Sequence, residues 1–161
     1  MANQKEEIKK IIRAFNKRRL RYLVIGGVAV VLYGVERATF DLDLLLPQDE
    51  KEVALTLKII KRLGYSKAMD EKGRKIVNWK EWLLKKKMLR ITNTQRIDLL
   101  TLSQAKFDFM YQYRIRVKFA GLVIPLPEII DLIHLKEWSG RPRDKEDARL
   151  LRAQLRLRKK R

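Results

Sequence analysis

Two apolar runs separated by a pair of glycines constrain the fold of this chain most strongly. Residues 22–25 have the length and composition of a buried strand, and this pattern ends at Gly26 and Gly27. The apolar residues 28–33 then predict a short buried helix that closes at Gly34, a common residue just after a helix end. Because three glycines interrupt the stretch and it is too short to cross a bilayer, we interpret it as a strand, a turn and a helix in a globular core.

The rest of the chain alternates between helical and strand patterns. Helical spacing predicts helices at residues 3–18, 50–63, 103–111 and 127–138, and a last helix that begins near residue 142 and fades into a basic tail at 152–161. Strand patterns occur at residues 40–46, 89–92, 96–100, 114–119 and 122–124, whereas residues 66–87 give no clear pattern. We therefore predict an α+β (mixed α/β) fold, with a small mixed sheet flanked by helices and with C-terminal helices. We expect a single domain of 161 residues with its core at about residues 20–150.

The net charge predicts a polyanionic partner. The chain has 38 Lys and Arg residues against 19 Asp and Glu residues, which gives a formal net charge of +19 at pH 7. Such an excess attracts RNA, DNA or an acidic protein, although a charged surface of the thermophile type is an alternative. The charged N-terminus has no apolar segment and predicts no signal peptide, so we expect a cytoplasmic protein with no membrane partner.

Cysteine and histidine usage excludes several kinds of site. The sequence has no Cys, which excludes disulfide scaffolds, thiolate zinc sites and cysteine nucleophiles. Its one histidine, His134, leaves no site that needs two imidazole groups. His134 lies on the apolar face of a predicted helix, and this position favours a histidine buried in the core.

Carboxylates interrupt two of the predicted strands. Asp41 and Asp43 are two residues apart and therefore share one face of a strand. Two carboxylates this close repel each other unless a cation joins them, and Mg²⁺ prefers oxygen ligands of this kind. An edge strand with solvated aspartates is the alternative. If the strand that contains Asp98 lies beside the first, three carboxylates could hold two metal ions, as in phosphoryl or nucleotidyl transfer.

The order of these motifs resembles that of the DNA-polymerase-β-like nucleotidyltransferases. The family pairs a hydrophobic-Gly-Gly turn with a carboxylate-hydrophobic-carboxylate strand; here thirteen residues separate Gly27 from Asp41. Residues 34–41 are similar to the Gly-x-x-Arg-x-Thr-x-Asp form of the branch with small stand-alone and toxin-type members. Residues 132–147 are similar to the closing helices of that branch. Because the four pieces occur in the family's order, the resemblance covers roughly residues 20–150.

The resemblance implies nucleotide contacts and a metal site. The expected nucleotide-binding residues are Gly26, Gly27, Arg37, Thr39 and Lys136. The expected catalytic residues and ligands of Mg²⁺ (or Mn²⁺) are Asp41, Asp43 and Asp98, the last of which would also help to activate the attacking hydroxyl. A structural ion pair is an equal alternative for Arg37, and helix capping or arginine pairing is favoured for Asp144 and Asp147.

A basic segment with two tryptophans is a candidate nucleic-acid interface. Its cations are Lys72, Arg74, Lys75, Lys80, Lys85, Lys86, Lys87 and Arg90. Trp79 and Trp82 lie among them, and cations with aromatic rings can bind phosphates and stack on bases. A solvated helix face with tryptophans in the core is an equal alternative.

The leading hypothesis from the sequence is a Mg²⁺-dependent nucleotidyltransferase. It would bind an NTP, transfer the nucleoside monophosphate to a hydroxyl and release pyrophosphate. The charge favours RNA, such as a tRNA 3′ end, as acceptor, and a protein within a toxin–antitoxin pair is also compatible. Cationic small molecules such as aminoglycosides are disfavoured because this surface would repel them. The alternative is a noncatalytic member of the fold that binds RNA or a partner protein.

Overall fold

A computed structural model describes residues 2–161, which form seven helices and seven strands. The helices are α1 (Ala2–Lys17), α2 (Gly26–Leu32), α3 (Glu50–Arg62), α4 (Trp79–Lys86), α5 (Gln104–Gln112), α6 (Ile129–Ser139) and α7 (Pro142–Lys159). The strands are β1 (Leu23–Ile25), β2 (Asp41–Pro47), β3 (Lys67–Met69), β4 (Met88–Thr92), β5 (Arg96–Leu102), β6 (Ile115–Phe119) and β7 (Leu122–Leu126). This is the predicted mixed α+β architecture.

Five strands form the main sheet in the order β1-β2-β5-β4-β3. β2 and β5 run parallel, and the other neighbours in the sheet are antiparallel. The parallel register places Asp43 opposite Asp98 and Asp41 opposite Arg96. The two acidic strands are therefore neighbours at the centre of the sheet, as the carboxylate hypothesis requires.

The apolar residues of β2 fix its place in the core. Leu42, Leu44 and Leu46 are fully buried, and from Leu44 to Pro47 both faces of the strand are covered. A continuous apolar run of this kind is typical of a strand with a parallel neighbour and protein on both sides. The carboxylates at the start of β2 therefore lie on a rigid, buried element.

The remaining strands form a separate antiparallel hairpin. β6 and β7 pair with each other, and β7 packs against β1 and α1. Within residues 2–161, none of the helices combines the length and the apolar character needed to cross a membrane.

Three predicted elements differ from the structure. α2 begins at Gly26, two residues before the predicted start. The unclear residues 66–87 contain β3 and α4, whose short length and many lysines hide their periodicity. α7 does not fade at residue 152 but continues to Lys159, because Leu151 is buried and Leu155 packs against the core.

Candidate active site

The glycine turn lies directly against a carboxylate. Gly26 has a φ of +66°, a conformation that L side chains rarely adopt, and an ideal Cβ there would lie 2.1 Å from Asp43 Oδ2. A Cβ on Gly27 would lie 2.5 Å from Thr39 Oγ1. Both positions therefore need glycine for close packing around the start of β2. An ordinary tight turn would not explain the second contact.

The Asp43 carboxylate is partly buried beside two other negatively charged groups. It faces Asp98 across the parallel strands, and Asp41 lies two residues away on the same face. Burial, and after it the negative charge of Asp98, raise the pKa of Asp43 to about 6, although the positive charge of Lys136 opposes the shift. The site favours a bound cation or proton at Asp43.

Asp98 is held by two arginines. Arg90 Nε and Nη2 donate to Asp98 Oδ1 and Oδ2 at 3.0 and 3.1 Å. Arg96 Nη2 donates to Oδ2 at 3.1 Å and lies 3.4 Å from Asp41 Oδ2. Asp98 is only 4% exposed, so this bidentate pairing satisfies a buried charge. The structure thus places Arg90 in the site rather than on the exposed basic segment, because the antiparallel register of β4 and β5 sets it opposite Asp98.

The carboxylates fit one hard cation better than two. Within residues 2–161, no three His, Asp or Glu side chains are arranged to hold a metal ion. Asp41 and Asp43 offer the two carboxylates that Mg²⁺ commonly takes from a protein when substrate phosphates complete its shell. Asp98 does not fit as a shared ligand in this arrangement, because guanidinium groups occupy both of its oxygens. A role for Asp98 as a metal ligand stays a prediction of the resemblance.

A second cluster of charges joins α6 to α7. Lys136 Nζ lies 2.8 Å from Asp144 Oδ1 and 2.8 Å from Asp147 Oδ2, and Arg37 pairs with Asp147 as well. Burial acts to raise the pKa of Asp144, but hydrogen bonds from Lys136 and Ser139 outweigh it and lower the value to about 2. Lys136, expected to neutralise phosphate, and Arg37 are thus both engaged in ion pairs. Asp144 pairs with Arg141 and Asp147 pairs with Arg37, which is the arginine pairing that the sequence favoured for these two aspartates.

The two clusters face each other across a cleft of about 670 Å³. One wall consists of the glycine turn, β2 and β5, and the other consists of α6 and the start of α7. Three further residues line the mouth of this cleft: Trp138, which no sequence motif indicated, and Arg141 and Arg143, which lie in the family-like segment 132–147 but had no predicted role. Trp138 is 88% exposed. Its position in the cleft follows from how α6 packs relative to the sheet and could not be inferred from the local sequence.

The predicted tryptophan interface is not formed by Trp79 and Trp82. Trp79 is buried and its Nε1 donates to the Ile76 carbonyl at 3.0 Å; Trp82 is half-buried and its Nε1 donates to the Met88 carbonyl at 3.1 Å. The Trp79 ring belongs to the core and the Trp82 ring packs against it, which favours the second of the two alternatives. The lysines around them are mostly exposed.

His134 is also exposed, which corrects the prediction of a core histidine, because the buried face of α6 runs through Leu132, Ile133 and Lys136.

The sequence matches one protein family over residues 2–156, described as a nucleotidyltransferase of unknown function (DUF6036). The chain belongs to this nucleotidyltransferase family. The resemblance drawn from the glycine turn and the acidic strands is thereby confirmed. No curated protein matches the sequence significantly.

Solved structures share the fold at low sequence identity. A candidate nucleotidyltransferase from Thermotoga maritima has a TM-score of 0.60 and 18% identity, with 94% of this chain and 91% of that chain covered. The antibiotic-resistance factor ANT(2″)-Ia, in complex with adenylyl-2″-tobramycin, has a TM-score of 0.64 and 19% identity, with 93% and 88% covered. The lincosamide antibiotic adenylyltransferase LnuA, bound to lincomycin, has a TM-score of 0.63 and 15% identity, with 91% and 95% covered. This chain has the fold of small nucleotidyltransferases.

Proposed function

We propose that this nucleotidyltransferase transfers a nucleoside monophosphate from an NTP to a hydroxyl acceptor. The acceptor oxygen bonds to the α-phosphorus, the bond between that phosphorus and the pyrophosphate oxygen breaks, and the hydroxyl proton passes to a base or to water. The observation that supports this most directly is the placement of Asp41 and Asp43 opposite Arg96 and Asp98, beside the glycine turn and inside the cleft.

Asp41 and Asp43 are the proposed ligands of a divalent cation, Mg²⁺ or Mn²⁺. When bound, such an ion would neutralise charge on the triphosphate and on the departing pyrophosphate. The raised pKa of Asp43 supports this assignment, because burial and the nearby charge of Asp98 both disfavour the ionised carboxylate, and an adjacent cation would stabilise it. We propose that Asp98, the third predicted carboxylate, acts by orienting Arg90 and Arg96 toward phosphate oxygens, since a guanidinium group matches phosphate geometry.

The glycine turn and the ion-pair cluster are the proposed nucleotide-binding frame. Gly26 and Gly27 bring backbone without side chains against Asp43 and the Thr39 hydroxyl, and the triphosphate would lie beside this turn in the cleft. Lys136 and Arg37 are proposed as positioning residues, which hold the wall formed by α6 and α7 at a fixed distance from the sheet.

RNA is the proposed acceptor, because the net charge of +19 favours a polyanion. The names of two similar structures concern antibiotics, but a cationic aminoglycoside would be repelled by this surface. A protein acceptor or a toxin–antitoxin partner stays a prediction of the resemblance.

One observation favours the noncatalytic alternative. Asp98 and Lys136 are both fully paired, so neither is free for substrate without rearrangement. In a protein that uses the fold only for binding, these two side chains would serve only to stabilise the fold. Transfer activity therefore has to be measured directly.

The test is label transfer from each α-labelled NTP, with Mg²⁺, to total RNA and to extract protein. We expect label in RNA with the native chain and a loss of at least about 100-fold in the Asp41→Asn/Asp43→Asn variant, which keeps side-chain size but removes the charges. The matched control is Glu71→Gln/Glu81→Gln, which removes two exposed carboxylates outside the cleft. Label that depends on neither pair, or a folded chain that transfers nothing, would contradict the proposal and support the binding alternative.

A further inference from the structure

The mouth of the cleft carries an aromatic side chain that the fold does not use. Trp138, in the last turn of α6, is 88% exposed, whereas Trp79 and Trp82 pack into the core. A large apolar ring left in water contributes little to stability, and such rings often mark binding surfaces. Because Trp138 lines the same cleft as Asp41 and Asp43, a base stacked on it would lie in the cleft that contains the proposed reaction centre.

Two arginines flank this ring on the rim of the cleft. Arg141 and Arg143 follow the turn at Gly140, and the Arg141 side chain is 75% exposed. Arg141 Nε donates to Asp144 at 2.7 Å, and within residues 2–161 its Nη groups have no hydrogen-bond partner. Arg143 Nη2 donates to the Ala38 carbonyl at 2.7 Å, which fixes it across the cleft mouth.

The acidic groups near this rim are already neutralised. Asp144 and Asp147 are buried and paired with Lys136, Arg37 and Arg141. The two glutamates of this region also have arginine partners: Glu137 pairs with Arg152, and Glu146 pairs with Arg149. The rim therefore presents positive charge together with one exposed indole.

We infer that Trp138, Arg141 and Arg143 form an acceptor platform for the 3′ end of a single-stranded polynucleotide. The inference rests on the proposed function, since it places the hydroxyl acceptor of that reaction. An unpaired base stacks on Trp138, and the phosphates beside it contact Arg141 and Arg143. Stacking needs an unpaired base, so the platform selects a single strand over a duplex.

The platform replaces the basic segment as the place where base stacking occurs. In that segment both indole Nε1 groups bond to backbone carbonyls, the Trp79 ring is buried, and the Trp82 ring packs against the core. The exposed lysines there can add only diffuse attraction to phosphate, which carries no base contact.

The test is the binding of a 12-nucleotide single-stranded RNA with a 5′ fluorescein and a free 3′ hydroxyl, followed by anisotropy without NTP. We expect Trp138→Ala to weaken binding by about 5- to 100-fold with an unchanged salt dependence, and Trp138→Phe to restore most of it. We expect Arg141→Ala/Arg143→Ala to reduce the slope of log K against log salt by about 1.4, for two lost phosphate contacts. Arg143→Ala alone, which leaves the Asp144 pair intact, should reduce the slope by about half as much.

The matched control is Lys72→Ala/Lys75→Ala, which removes the same charge from exposed positions of the basic segment. We expect its affinity to change by less than about 3-fold. An equal loss in this control, full affinity in Trp138→Ala or no binding by the native chain would overturn the platform. Quenching of Trp138 fluorescence by ATP alone, with no effect of RNA, would instead assign the ring to the nucleotide base and also overturn it. Because binding is measured without catalysis, the platform and the transfer reaction can fail independently.

Discussion

Gly26 shows how one residue couples backbone conformation to the carboxylate site. Its φ of +66° disfavours any L side chain, and its missing Cβ leaves room for Asp43 Oδ2. Gly64 has a similarly unusual φ of +95°, but nothing lies within 4 Å of the position of its Cβ. A comparison of the two glycines therefore separates the effect of a positive φ from the steric effect of an added Cβ.

Gly26→Ala should disturb the protein much more than Gly64→Ala. Each substitution carries the backbone penalty of roughly 1–2 kcal/mol, but only Gly26→Ala also pushes against Asp43. We expect Gly64→Ala to keep transfer activity within about 3-fold and Gly26→Ala to lose most of it, with a larger drop in the free energy of unfolding measured in urea. Equal losses in both variants would show that the contact with Asp43 has no role.

Under the proposed function, we expect Arg90 to limit the number of metal ions that the carboxylates bind. We expect the native chain to bind one Mn²⁺ in a titration followed by electron paramagnetic resonance, because Asp98 is occupied by guanidinium groups. Arg90→Met should free Asp98 Oδ1 while Arg96 still contacts Oδ2, and it should either add a second Mn²⁺ or tighten the first by about 10-fold, since one competing cation is removed. The control Arg62→Met removes an exposed arginine of α3 that has no ion-pair partner among the described residues. Two Mn²⁺ ions in the native chain, reduced to one by Asp98→Asn, would refute this prediction.

At the scale of elements, buried ion pairs hold α6 and α7 together. Lys136 on α6 contacts Asp144 and Asp147 on α7, and Arg37 connects the same cluster to the segment before β2. Removing one partner of a buried pair is strongly destabilising, because it leaves a buried charge uncompensated. The wall opposite the sheet therefore depends on these few contacts.

The stability contributed by Asp144 should depend on pH. A pKa lowered from 3.8 to about 2 corresponds to about 2 kcal/mol of folding free energy. Because the pKa is lower in the folded state, this stability is present above pH 4 and is lost as the pH falls toward 2. We expect Asp144→Asn to be at least about 2 kcal/mol less stable at pH 7, with a difference from the native chain that shrinks between about pH 4 and pH 2. Urea unfolding at several pH values measures this. Glu146→Gln, on the exposed face of α7, should give a smaller difference, and an equal one would contradict the assignment.

At the scale of the whole molecule, the cleft assembles from segments far apart in the chain. The glycine turn, the two acidic strands and the corner between α6 and α7 meet around one volume. The net charge of +19 acts over the whole surface and steers any polyanion toward the protein, in a manner that salt screens. Specific recognition then requires the local geometry of the cleft mouth, which the overall charge does not provide.

The sequence alone determined the central elements of this fold. The apolar run before Gly26, the alternation around Asp41 and Asp43 and the apolar neighbours of Asp98 are local patterns, and local patterns report secondary structure. The order of these motifs was enough to indicate the nucleotidyltransferase family, whereas the pairing of the two acidic strands was only a condition of the metal hypothesis until the sheet register showed it. The short elements in residues 66–87 carried too little periodicity to be recognised.

Only the tertiary structure decided which charges and rings face the cleft. Arg90 lies opposite Asp98 because of strand register, and Lys136 is buried because α7 supplies two carboxylates. Trp79 turns into the core, whereas Trp138 stays in solvent. A side chain's partners come from segments distant in sequence, and their free energies depend on burial and distance. The periodicity of one segment reports neither burial nor distance. It therefore indicates where many of the strands and helices lie but not what their charged groups contact.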